Sequence, residues 1–589
     1  MTSPSQSHEH GTDGRLRLPG YGLPIDSEPP SRSHFLHPFS YNRFESDGLK
    51  QREIRMMSFI NLVTDKPNWE DKVYDDQTLV AWLEEAKLMD RDLDLDGDVY
   101  FSEHMYKVCV DELQEKAELL KTTGVVNILD AELAVAKSDT IVPPALATSL
   151  RAGVKALENM DKDWEPRSNG IILNLLDPSL FPLVHGTTRV LSRGRVSLDR
   201  CASYIGQGEP SVVNPYEIRR PAYWRTRQWL PSDIRWTETG PRVATYINNL
   251  NPKEYSDLYE VLGQFVAAAI PLWEECLFRG PDRRAPRIVT HPSGTSDYVL
   301  AEGAQPEFHH HGNIRFMDYN WWVQNRILRW PEPSQCKERL SRLRHPQVKP
   351  NLREDFARGL QVVFKLFNIQ LTPEEPAYPG DSWCNVGVLN DHIVATALYY
   401  YDMENIGKSF LSFAHVFDSD VLTLQPPLEY PTTPDELPPQ AIEDYESTRR
   451  WYGLKPNRFQ ILGSVAIRPG RLLAFPTVFQ HMLGPFKLRD ITQPGHLKVL
   501  AMYLVDPNIR VLSTDVVPPQ QRDWWADELR NIKPLSRLPQ EMRDAIVEFS
   551  DGFPLSKEQD RFALTEHEDL TAKRLNSWTI SSLDYPLFC

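Results

Sequence analysis

A chain of 589 residues is too long for one minimal domain and suits one large decorated domain or two modest ones. Its 41% hydrophobic and 25% charged residues are enough for a globular core, and a formal net charge of −16 argues against nucleic acid, which needs clustered positive charge. Proline, at 48 residues against 29 glycines, is roughly 8% of the chain where about 5% is usual, so stiff connections are expected rather than low complexity.

Residues 1–40 are rich in Ser, His, Gly and Pro without periodicity and read as a mobile tail. They carry no apolar signal region, and no later run is long and apolar enough to span a membrane. From 41 to 354 the chain is expected to be mainly helical. TLVAWLEEAKLM and EHMYKVCVDELQEKAELLK, between about 75 and 122, space apolar residues at three and four. A more apolar helix is expected over 256–277, broken at Pro271.

From about 355 to 515 the periodicity shortens to that of strands. GLQVVFKLFNIQLTP (359–373) reads as a central strand and HIVATALYYYDM (392–403) as another. SVAIRPGRLLAFP (464–476) reads as a hairpin turning at Arg468-Pro469-Gly470-Arg471, and LKVLAMYLVDP (497–507) as a further strand. The expected fold class is α+β, with a helical N-terminal half packed on a jelly-roll core and a C-terminal extension over 516–589.

The six cysteines, Cys109, Cys201, Cys276, Cys336, Cys384 and Cys589, form no C-x-x-C pair. Each is read as a small buried thiol in a reducing, cytoplasmic setting, with neither a zinc knuckle nor a disulfide framework indicated. Asp92, Asp94, Asp96, Asp98 and Glu103, with Gly97 at the sixth position, match the twelve-residue calcium-loop template between two helical segments. A solvated acidic loop is the competing reading. His309-His310-His311 reads as exposed, because adjacent residues rarely converge on one ion, and Trp321-Trp322 and Trp524-Trp525 read as packing.

Three segments carry a resemblance: GVVNILDAELAVAKSDTIVP, LQVVFKLFNIQLTPEEPAYPGDSWCNVGVLNDHIVATALYYYDMENI, and the stretch from GSVAIRPGRLLAFPTVFQHMLGPFK to PPQQRDWW. Over about 18–530 the chain resembles a mostly fungal family catalogued as domain of unknown function 4246, which in turn looks like the double-stranded β-helix of iron(II)/2-oxoglutarate dioxygenases. That chemistry uses two histidines and a carboxylate on one face of iron. A His-x-Asp/Glu pair on one strand suits it, since residues i and i+2 share a face.

Where the family carries Trp-His-x-Glu-Gly, this chain reads Trp383-Cys384-Asn385-Val386-Gly387. Both proximal ligands are therefore replaced, by Cys384 and Val386, and only the distal histidine remains, as His481. The basic residue that the resemblance implies for the keto acid is Leu497, in Gly495-His496-Leu497-Lys498. Lys498 and Arg489 are weak alternative cations, Lys487 another, and Asp391, His392, Asp402 and Glu404 are poor substitutes for the lost ligands. The resemblance implies an oxygenase-type enzyme of fungal metabolism using Fe(II) and 2-oxoglutarate. The residues point instead to a non-catalytic or repurposed relative with no cofactor of its own, whose partner is a small molecule or another protein. An atypical active oxygenase acting on a small metabolite, with a non-standard metal site, is the alternative.

Overall fold

In a computed structural model, the described residues are 16–25, 35–38, 48–88, 101–211 except 167, 226–277, 349–416, 459–549 except 531, 554–561 and 587–588, with isolated residues and short stretches elsewhere, chiefly between 287 and 334. Five helices matter here: α1 (Gln51–Val63), α2 (Asp76–Leu88), α3 (Glu103–Thr123), α4 (Pro144–Glu158) and α5 (Ser256–Cys276). The hydroxyl of Ser102 accepts from the Met105 amide to start α3, and Gly124 ends it at φ 70°, a conformation that needs glycine.

Neither α1 nor α4 is among the elements expected above. Yet α4 opens with proline in its first turn and buries Leu146, Ala147, Leu150, Val154 and Leu157, a helical spacing visible in the sequence. The expected break at Pro271 is corrected, because α5 continues through it to Cys276. Losing one amide donor is outweighed by the packing of α5, whose Leu262, Phe265, Val266, Leu272 and Trp273 are fully sealed in the core. Among the described residues no helix is long and apolar enough to cross a membrane.

The principal strands in chain order are β1 (Val126–Ile128), β2 (Val135–Ser138), β3 (Ile172–Leu176), β4 (Ser232–Thr237), β5 (Gly240–Val243), β6 (Leu360–Leu371), β7 (Cys384–Asn385), β8 (Ile393–Glu404), β9 (Phe410–Val416), β10 (Phe459–Ala466), β11 (Leu472–Pro476), β12 (Gln480–Leu483), β13 (Gly495–Val505) and β14 (Leu587–Phe588). One sheet runs β5-β4-β6-β13-β8-β11-β2-β1, with β3 also joined to β6. A second runs β10-β9-β12-β7-β14. Long β-branched and aromatic runs give β6, β8 and β13, as their sequences require of strands buried on both faces.

Alternation divides the large sheet cleanly. Leu360, Val362, Phe364 and Leu366 of β6 join Ala395, Ala397 and Tyr399 of β8 and Leu500, Met502 and Leu504 of β13 beneath α4 and α5. Phe265 of α5 meets Tyr399 there, ring centroids 4.8 Å apart. The opposite, inner face presents Ile369, Tyr400, Phe475, Leu497 and Val499 to Leu411 and Phe413 of the second sheet. Phe413 and Phe475 stack edge to face at 4.9 Å, joining the two sheets.

Three expectations change. The 464–476 segment is not a hairpin: β10 and β11 pair with different strands in different sheets, so the Arg468–Arg471 turn is an arch between layers. A turn flanked by two apolar runs is consistent with either arrangement, and the partners decide. The region before residue 355 supplies helices but also β1 to β5, which extend the large sheet at both edges. Within the expected tail, Leu16 and Leu18 are buried against Leu183, Val190, Leu512 and Val517, because the segment carries apolar anchors among its polar residues.

The arch is held by charge. Arg471 is fully buried and donates to Asp139 at 2.7 Å, to Asp65 at 2.9 Å and to the Ala466 carbonyl at 2.8 Å. Lys137 of β2 reaches the same Asp65 at 2.6 Å. Burial would raise the Asp65 carboxyl, but Lys137 and Arg471 outweigh it and hold it below its ordinary value. Arg471→Met should therefore destabilise the fold by on the order of 3 kcal/mol in urea at pH 7. The stabilisation from Asp65 stands above its unfolded value, about pH 4, and is lost as pH falls through the depressed folded value, so the variant should also show a shallower acid limb.

Candidate functional site

Register brings two of the three ligand positions, Cys384 and His481, together in the second sheet. Cys384 on β7 lies directly opposite His481 on β12, and Phe413 of β9 is opposite His481 on its other side. The Cys384 sulfur is 3.7 Å from the His481 carbonyl oxygen. Val386 packs in an apolar cluster with Val363, Ile393, Ala501 and Tyr503. The glycine that follows is required: Gly387 has φ 71°, and a Cβ there would lie 3.0 Å from Ile393 and 3.1 Å from Asp391.

Cys384 is disulfide-bonded, which corrects the expectation of six reduced thiols. Cys109, Cys201 and Cys276 are buried and not in disulfides, and burial pushes Cys201 up to about 12. The partner of Cys384 lies outside the described residues. No spacing motif marks such a bond in the sequence. A disulfide sulfur offers no thiolate to a metal.

Burial lowers the His481 pKa from 6.5 to about 4, opposed by a hydrogen bond to the Cys384 backbone, so the ring is neutral at pH 7. Its Nδ1 is sealed from solvent with no hydrogen-bond partner among the described residues, and its ring lies 5.0 Å from that of Phe475. A neutral imidazole is a fair metal ligand, but here it faces a disulfide and apolar side chains.

The neighbouring candidates are employed elsewhere. The Asp391 carboxylate accepts from the Trp229 and Val388 amides, both at 2.8 Å, and burial lifts it to about 7 against those bonds. Asp402 pairs with His496 at 3.0 Å, while Lys498 pairs with Glu158 of α4 at 2.8 Å on the helix-covered side of the large sheet. Leu497 faces inward and is fully buried. Arg489 is exposed and donates to the Ile406 carbonyl. Neither Lys498 nor Arg489 therefore shares the inner face with His481, and Lys487 is exposed. His392 is buried 6.3 Å from the ring of His37, and Glu404 is exposed.

Sequence reasoning missed Lys365. It occupies an inner-face position of β6, between Val363 and Phe367, and alternation along an apolar strand is the signal that would have exposed it. Residues 89–100, which contain most of the calcium-loop match, lie outside the described residues, and Glu103 is the first residue of α3. His309, His310 and His311 lie in a strand antiparallel to Ile314–Met317. Trp524 is buried against Tyr246, as packing would have it, and Trp322 lies outside the described residues. No group of three or more His, Cys, Asp or Glu side chains placed to hold a metal occurs among the described residues.

The profile of a family described as protein of unknown function (DUF4246) matches residues 103–528, and the profile of its N-terminal domain matches 18–85. No curated protein matches the sequence. A solved structure described as the selenomethionine-labelled Fe(II)/(alpha)ketoglutarate-dependent dioxygenase TqaL aligns over 69% of this chain and 90% of its own, at 11% identity and a TM-score of 0.23. A likeness at that level supports no conclusion about fold or chemistry.

His481 gives a pH test. Its folded pKa lies below the unfolded one, so stability is lost as pH falls from about 6.5 towards 4 while the unfolded chain takes up the proton. His37, lowered to about 3, and His185, lowered to about 4, act in the same sense. Urea unfolding at pH 7 and pH 5 should show this loss, and His481→Phe should reduce its slope by about one proton.

Proposed function

The chain belongs to the family of unknown function DUF4246, and from that membership we propose that it is a dioxygenase-like protein whose metal site has been dismantled and whose barrel interior now serves binding rather than oxidation. Support for the scaffold comes from strand order. Between β6 and β13 the chain alternates between the two sheets at every step except the β9–β10 pair, giving four-stranded layers β6-β13-β8-β11 and β7-β12-β9-β10. Eight strands wound in this way, with helices packed on the outer face, support the reading of a jelly roll over about 355–515.

One observation carries the reading of function. The strand pair that would bring three iron ligands together brings a disulfide sulfur, a valine in an apolar cluster and a single imidazole. These residues do not fit Fe(II), which needs two further nitrogen or oxygen donors on that face. The keto acid fares no better at Leu497, whose apolar side chain supplies no charge. No oxidative step is therefore assigned. The ligand of this reading is a small molecule, and the formal net charge of −16 disfavours nucleic acid.

After anaerobic reconstitution, the purified protein should hold far less than one equivalent of Fe(II) and should not consume 2-oxoglutarate. Near-stoichiometric iron together with keto-acid turnover would falsify the proposal and favour an active oxygenase with a non-standard site. A second measurement asks whether the backbone of the site persists. Cys384→His with Val386→Glu puts an imidazole and a carboxylate on one strand face opposite His481, and this double variant should gain iron affinity. A well-folded double variant without that gain would mean that the site has been remodelled rather than disarmed.

A further inference from the structure

The outermost hairpin of the large sheet holds a pairing that costs stability. β4 and β5 lie beyond β6, outside the eight-strand core, and their register sets Ile234 opposite Val243, Arg235 opposite Arg242 and Trp236 opposite Pro241. Ile234 and Val243 are buried in the core beneath α5, so alternation puts both arginines on the other face of the hairpin, side by side. Like charges directly opposite one another across a ladder repel. One arginine on the edge strand would discourage strand addition, but Pro241 already blunts that edge and Arg235 is not on it.

A third arginine joins them through a shared carboxylate. Asp515 has Arg195 Nε 3.4 Å from one oxygen and Arg235 Nη2 3.7 Å from the other. Arg242 has Glu260 of α5 at 3.6 Å, an exposed pair of little strength. Among the described residues none of the three guanidiniums donates a hydrogen bond, so their planar donor forks are uncommitted. The side chains of Arg195, Arg235 and Arg242 are 58, 50 and 63% exposed, and solvent reaches all three. Asp515 is buried and fixed: its carbonyl accepts from the Val196 amide at 2.8 Å, and its amide donates to the Ser513 hydroxyl at 3.3 Å. Burial and the neighbouring Asp233 raise its carboxyl against Arg195, Arg235 and Arg510, and Arg510 is itself paired with Asp233. One buried carboxylate is thus shared by two exposed arginines, with a third beside them, on a chain whose formal net charge is −16.

Exposed guanidinium forks set side by side and short of acceptors have the donor pattern of a phosphate receptor, because each fork can give a phosphate two parallel N–H bonds. We propose that Arg195, Arg235 and Arg242 bind the phosphate group of a small soluble molecule, with Asp515 as the resident counter-ion that holds two of them when the ligand is away. A soluble source is favoured over a phospholipid headgroup, since the net charge of −16 repels an anionic membrane surface. The site goes beyond the reading above and is independent of it. It uses no residue of the barrel interior, and neither Cys384 nor His481 takes part.

The test is calorimetric titration of the full chain with inorganic pyrophosphate at fixed ionic strength, with thermal melting as the folding control. Saturable binding is expected, weakened about tenfold by Arg235→Gln and by Arg242→Gln, in keeping with the loss of a charge-assisted hydrogen bond. Arg195→Gln takes the place of Arg235→Gln if that variant fails to fold. Asp515→Asn, which removes the competing carboxylate, should tighten binding several-fold, and a folded variant that binds no tighter overturns the counter-ion role. Arg468→Gln is the matched control, since Arg468 is similarly exposed beside Asp65 at the arch and should leave binding unchanged. Because the opposed arginines repel, Arg242→Gln should melt no lower than the unaltered protein, and a marked drop would make the pair structural and overturn the proposal. Absence of saturable binding at about 10 mM pyrophosphate overturns it too. So does binding that persists in the folded Arg235→Gln/Arg242→Gln double variant, or that Arg468→Gln weakens equally. Sedimentation with phosphatidylcholine vesicles containing phosphatidic acid, lost in the double variant, would assign the phosphate to a lipid headgroup and overturn the soluble ligand. Every one of these outcomes leaves the metal-free reading of the barrel standing.

Discussion

The large sheet is buried on both faces, and that constraint organises the rest of the molecule. Most residues of β6, β8 and β13 enter one of two apolar layers, one capped by α4 and α5 and the other by the second sheet. A strand in that position cannot slip by one residue without exchanging its two layers. Register is therefore fixed over the whole length of β13, which pairs with β6 on one side and β8 on the other. The same rigidity holds Cys384 against His481.

The loss of metal ligands proposed above is thus compatible with retention of the surrounding frame. Gly387 still occupies a backbone conformation that other residues resist, and Asp391 still closes the turn through two amide bonds. These features serve the strand-to-strand connection rather than a metal. A disulfide at Cys384 and a valine at 386 place no polar side-chain atom there that would need a buried partner, so both residues are benign for folding.

Much of the core was legible in the sequence because long apolar strands announce themselves. β6, β8 and β13 begin and end within a few residues of where their sequences place them, closed by Pro373 and by Asp506-Pro507. The arch at Arg468–Arg471 was not legible as an arch, since its sheet partners lie far away in the chain. The helix α4 was legible but overlooked; it begins at Pro144, just after the segment that ends at Pro143 and carries a family resemblance. Lys365 was hidden by the same two-sided apolarity that identifies its strand: where both faces are hydrophobic, one lysine looks like noise until the face it points to is known. Cys384 shows the reverse limit, because the residue type says nothing of the bond that its sulfur has formed.

The pairing of β14 with β7 has a consequence for how the molecule behaves among its own copies. β7 is only two residues long, and without Leu587–Phe588 running parallel to it the second sheet would end there with unpaired amides and carbonyls. Such an edge is a template for strand addition from another chain. By covering it, the last described residues of the chain act as a guard against edge-to-edge aggregation. Solubility at high concentration, more than thermal stability, is the property in which trimming or masking them with a fused tag would be felt.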